Sequence, residues 1–100
     1  MSVDQKILAE LGGSLLEEVD VGIHSDKHVD RVVVKDGIVY VIEVENELNY
    51  TAIGQALAYS VLYKQKYSEI REVRPVIACS KIDSDLKLAC EKLGIKLIKL

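Results

Sequence analysis

The sequence has no tryptophan and no phenylalanine, and five tyrosines are its only large aromatics. Aliphatic side chains must therefore fill the interior. Since 49% of the chain is apolar, a disordered tail is excluded. Basic charge is not in excess either: the formal net charge is −3 and the pI about 5.3. A strong non-specific DNA binder would be basic, so contact with nucleic acid here needs a local basic patch or metal ions that offset the acids. Cysteine is scarce, and Cys79 and Cys90 lack the spacing of a zinc site. They read as small buried hydrophobes in a reduced protein. Also missing are the basic-then-apolar opening of a signal peptide and any apolar run long enough to span a membrane. The expectation is a cytoplasmic protein with no membrane partner. With 100 residues, one compact domain over 1–100 is expected.

What is present is periodic. Val3, Ile7, Leu8 and Leu11 recur at helical spacing, predicting a short amphipathic helix that Gly12-Gly13 stops. Leu15, Glu17, Val19, Val21 and Ile23 alternate onto one face, which predicts a strand over 15–23. Ser14 and Glu17 as a capping box would open a second helix instead, but Val19-Asp20-Val21 is poor helix material. A polar loop over 24–27 leads to a Val-rich strand over 29–35. Asp36-Gly37 is a hairpin turn, and 38–45 is the returning strand. After a loop over 46–49 come a long helix over 51–67 and a buried strand over 74–79, with Pro75 near its start. A helix over 83–93, closed by Gly94, and a strand over 95–100 complete the chain. The order helix-strand-strand-strand-helix-strand-helix-strand defines an α/β fold with a mixed sheet. Its first three strands form an antiparallel meander, and its last two enter after helices, as crossover connections require.

The hairpin turn sets a register. A two-residue turn at Asp36-Gly37 pairs Lys35 with Ile38, Val34 with Val39 and Val32 with Val41. Asp30 then faces Glu43, and His28 faces Glu45 if the strand reaches that far. Alternation places His28, Asp30, Glu43 and Glu45 on one face, beyond an apolar stretch of valines. Facing residues have Cβ atoms roughly 4.5–5.5 Å apart, and like charges there are destabilising. Carboxylates at the end of an apolar face need a cation or a shared proton. Mg²⁺ suits them, since it takes oxygen ligands from one or two carboxylates and keeps several waters. The plainer alternatives are a solvated rim, or acids paired to Lys27, Arg31 or Lys64.

A strand carrying Asp, a hairpin, and Glu-x-Lys on the returning strand form the core of the PD-(D/E)XK nucleases, and this chain resembles that family. The matching stretches are His28-Val29-Asp30 and Val41-Ile42-Glu43-Val44-Glu45. Gln55-Ala56-Leu57-Ala58-Tyr59 resembles the Gln-x-x-x-Tyr element of RecB-type members. The element order is similar to a restriction-endonuclease-like core over nearly the whole chain, as in Holliday-junction resolvases. The resemblance implies Mg²⁺ or Mn²⁺ held by Asp30, Glu43 and the backbone carbonyl of Val44, with an upstream acid at Glu10 or Glu17. It also implies that Gln55 and Tyr59, one helical turn apart, stand beside the site, and that Lys27, His28 and Tyr59 face the substrate. Alternatively, Tyr59 and Tyr63 are core aromatics and Gln55 a surface residue.

The departure is at position 45, where the family's Lys is replaced by Glu45. Some similar restriction enzymes carry Glu-x-Glu there. Glu45 can act as a base or an extra ligand, and Lys27, Lys64 or Lys66 would have to supply the displaced positive charge, unless each is simply solvated. The implied function is metal-dependent hydrolysis of DNA phosphodiester bonds by a homodimer, with one site per strand. A catalytically inactive nuclease-like domain that binds nucleic acid or protein is the alternative. A third reading is an unrelated α/β domain that shares the hairpin by chance.

Overall fold

The computed structural model describes residues 1–100. Its elements run α1 (Val3–Leu11), β1 (Ser14–Asp20), β2 (His28–Lys35), β3 (Ile38–Glu47), α2 (Tyr50–Lys66), β4 (Glu72–Lys81), α3 (Ser84–Leu93) and β5 (Lys96–Lys99). The element order and types are those the periodicity predicts. Each helix starts where a short polar side chain can satisfy free backbone N–H groups. Ser2 and Gln5 form a capping box on α1. The Asn49 side chain accepts the Ala52 N–H at 2.8 Å on α2, and Asp83 accepts two N–H groups on α3.

One five-stranded sheet has the order β1-β2-β3-β4-β5. The first three strands are antiparallel neighbours, and β4 and β5 run parallel to β3. Asp36 and Gly37 have φ values of 50° and 76°. Positive φ at both central residues defines a type I′ turn, whose twist matches that of the strands. The predicted register follows, from Lys35 opposite Ile38 through Val34–Val39 and Val32–Val41 to Arg31 opposite Ile42.

The core lies on both faces. On one, Ile7 of α1 packs with Val33, Ile42, Val76, Ala78 and Ile98. On the other, α2 and α3 cover two patches, one around Ile77, Cys79 and Cys90, the second around Val32, Val39 and Val41. Both cysteines are free and buried, as expected.

Two local expectations are corrected, and the strand reading at Ser14 holds. Strand β1 ends at Asp20 and not at Ile23. The Gly22 N–H turns back to the Asp20 carboxylate at 2.8 Å. The chain then passes so near the Ser25 carbonyl that a Cβ on Gly22 would lie 1.8 Å from its oxygen. The rival helix at Ser14 does not form, since Ser14 and Glu17 both pair with β2. Pro75 lies inside β4 and not at its start. It is tolerated because β5 pairs with β4 only from Val76 onward, leaving β4 an edge at Pro75.

The sheet also comes apart at one place. Pairing of β2 with β3 stops at Arg31–Ile42, although both strands continue. On the other side, pairing of β1 with β2 skips Glu18, whose φ is 49°. Beyond this break, β2 belongs to β1 alone, through Val19–Val29 and Asp20–His28. Strand β3 meanwhile stays with β4, from Glu43–Ile77 to Glu47–Lys81. The β1–β2 tip leans on α2, where Val21 and Val29 pack with Tyr63.

Candidate active site

Asp30 and Glu43 stand where β2 and β3 part. The Asp30 N–H does not join the ladder to β3; it donates to Glu43 Oε2 at 3.2 Å. The Val44 N–H donates to Asp30 Oδ2 at 2.9 Å. The Arg31 guanidinium donates to the Asp30 carbonyl at 2.7 Å. Side chains thus replace strand pairing at Asp30, and the two carboxyl groups are held together by these bonds.

Glu43 is 3% exposed. Burial, above all, pushes its carboxyl up to about 8. The charges of Asp30 and Glu45 push the same way, while the Asp30 N–H opposes them. Neither plainer reading of the acids survives. A solvated rim does not fit Glu43's burial. Nor does any ion pair involve Asp30, Glu43 or Glu45.

The nearby cations are engaged elsewhere. Lys27 bonds the Ser25 hydroxyl. Lys64 reaches the Arg71 carbonyl at 3.0 Å, and Lys66 lies 3.1 Å from the Asp20 carboxylate. Besides its bond to the Asp30 carbonyl, Arg31 is bound to Asp4 at 2.7 Å and lies 3.8 Å from Glu17. A buried carboxyl beside a second, half-buried one, with no counter-charge, favours a shared proton or a bound cation. Two neighbouring carboxylates suit a hard ion that retains water. No group of three or more His, Cys, Asp or Glu is arranged to hold a metal. Glu45 therefore does not close on the pair as a third acid.

The divergence also moves His28. It is exposed and faces Asp20 of β1, not Glu45 of β3, because β2 has left β3 before it reaches that residue. Tyr59 packs against the valine layer under α2, and Gln55 is half-buried one turn earlier. Glu10 lies 3.7 Å from Lys96, and Glu17 pairs with Arg31, so neither upstream candidate joins Asp30 and Glu43. Sequence reasoning missed two contributors. Arg31 was visible as a neighbouring cation, but its grip on the Asp30 carbonyl was not. Glu18 carries no signal of its left-handed backbone, since non-glycine residues rarely adopt one.

These features define an endonuclease-like α/β fold. A repair endonuclease from Pyrococcus abyssi superposes with a TM-score of 0.75 at 26% identity, covering 97% of this chain and 42% of that one. EndoMS in complex with double-stranded DNA gives a TM-score of 0.67 at 19% identity, over 97% of this chain and 42% of that one. A protein of unknown function gives 0.69 at 21% identity, over 95% of this chain and 55% of that one. The chain thus spans about half, or less, of the length of these structures. No protein-family model and no curated protein sequence matches it. No helix is long and apolar enough to cross a membrane.

Proposed function

We propose that residues 1–100 form one nuclease domain of the PD-(D/E)XK type, hydrolysing DNA phosphodiester bonds with Mg²⁺ or Mn²⁺. The observation that carries this reading is buried Glu43 beside half-buried Asp30, without a counter-cation, at a break in the sheet. The fold shared with a repair endonuclease supports it, as does the solved complex of a similarly folded protein with double-stranded DNA.

In this reading Asp30, Glu43 and the Val44 carbonyl hold the ion. When bound, it supplies positive charge against the developing phosphoryl charge and makes a water more acidic. Glu43 must give up its proton for the ion to bind. Glu45, two residues along β3 from Glu43, would take a proton from a water. Gln55 and Tyr59 would face the site from α2, and Lys27 and His28 from the tip, where a DNA backbone would pass. A homodimer would bring one such site to each strand. The deciding experiment is cleavage of labelled linear, branched and single-stranded DNA with Mg²⁺ or Mn²⁺, beside Asp30→Ala. Cleavage that is lost in Asp30→Ala supports the reading.

Glu45 in the place of Lys favours a second reading, a catalytically inactive domain that binds nucleic acid or protein. Wild-type protein that binds DNA, takes up neither ion and cuts nothing would select it.

A further inference from the structure

The two acids are carried by different parts of the sheet. Glu43 sits in β3, which is paired with β4 along nearly its whole length. Asp30 sits at a joint. The residues after it belong to the sheet through β3, and those before it belong only to β1. Opposite the joint, Glu18 makes no strand pair. The angle at Asp30 is therefore not fixed by the ladder on either side. The bonds joining Asp30 to Glu43 and Val44 act on it from β3, and what the tip leans on acts from the other side.

The tip leans on the C-terminal end of α2. Lys66 Nζ lies 3.1 Å from the Asp20 carboxylate and donates to the Gly22 carbonyl at 2.9 Å. The Tyr67 hydroxyl donates to the Asp20 carbonyl at 2.6 Å. The Gly22 N–H closes the same network on Asp20. One lysine thus holds both the last residue of β1 and the turn after it, and Asp20 faces His28, two residues from Asp30.

We propose that Lys66 is a positioning residue for the acid pair, setting where Asp30 stands relative to Glu43 by pinning the β1–β2 tip to α2. The proposal rests on the reading of Asp30 and Glu43 as metal ligands. A mere surface ion pair would contribute little to stability and nothing at a distance. A residue that orients a ligand instead typically changes metal affinity about 10–100-fold when removed.

Two amides report directly on the pair: Asp30 N–H on Glu43, and Val44 N–H on Asp30. In metal-free, nitrogen-labelled protein, Lys66→Met should speed hydrogen exchange at both amides, while those inside β4 keep wild-type protection. Calorimetric Mn²⁺ affinity should fall about tenfold, with turnover at saturating Mn²⁺ close to wild type. Lys66→Arg, which keeps a cationic donor, should restore both. Tyr67→Phe, which removes only a hydroxyl, should move the same amides less, and it stands in if Lys66→Met does not fold. Unchanged Asp30 and Val44 amides in both variants would overturn the proposal. Wild-type protein that binds no Mn²⁺ would overturn the metal reading instead, leaving the amide result to decide the positioning.

Discussion

The two ends of the β2–β3 hairpin are built from the same strands and behave oppositely. At the closed end, a type I′ turn, strict pairing and buried Val39 and Val41 all favour one arrangement. At the open end, two acids face each other, pairing stops, and side-chain bonds take over the backbone's role at Asp30. Where local preference, packing and charge agree, the residues serve the fold. Where they conflict, the residues are candidates for function. On the proposed reading, the open end is where the chemistry takes place.

That contrast can be broken by substitution. The largest effect is expected at the open end. Glu45→Gln should lower DNA cleavage about 10²–10⁴-fold if Glu45 is the base, with the fold intact by circular dichroism. An unchanged rate would make Glu45 a bystander. Next is the metal-free pH dependence. Folded Glu43 keeps its proton up to about 8, whereas its ordinary value is 4.5. Because the folded state binds this proton more tightly, Glu43's contribution is fully present below pH 4.5 and is lost as the pH rises through about 8. The loss is roughly a few kcal/mol. Urea unfolding in a chelator, near pH 5 and near pH 9, should show it, and Glu43→Gln should remove most of the difference.

The closed end should respond only in stability. Val39→Ala is expected to cost about 2 kcal/mol and to leave metal binding by calorimetry unchanged. Gly37→Ala, forced to keep φ near 76°, should cost about 1 kcal/mol and lower the unfolding midpoint slightly. If either change at the turn weakened metal binding as much as a change at Asp30, the separation of the two ends would fail.

The same contrast explains what could be read in advance. Elements and register were legible because they rest on local signals, namely the Asp36-Gly37 turn, the alternating valines and the spacing of α1. The meeting of Asp30 and Glu43 followed from that register. The position of His28 did not, because extending the register assumes the strands stay together, and the break depends on Glu18's backbone and on distant contacts of the tip. The end of β1 was missed for a related reason. Val21 and Ile23 alternate like strand residues, but the Asp20–Gly22 turn competes for the chain, and Val21 is buried against α2 instead. Charge pairing was the least legible layer, since Lys66 meets Asp20, and Arg31 meets Asp4, only where the folded chain brings them near.

The left-handed residue that opens the sheet at Asp30 also shapes its outer border. Strand β1 is an edge, and a straight edge invites another strand to add to it. Glu18 bends this one in mid-strand, leaving only Ser14–Glu17 as an unbroken run, and puts charge at Glu17, Glu18 and Asp20 along it. At the opposite border, β5 is four residues long and carries Lys96 and Lys99. Neither border is a good template for sheet extension, which guards a valine-rich chain against aggregation.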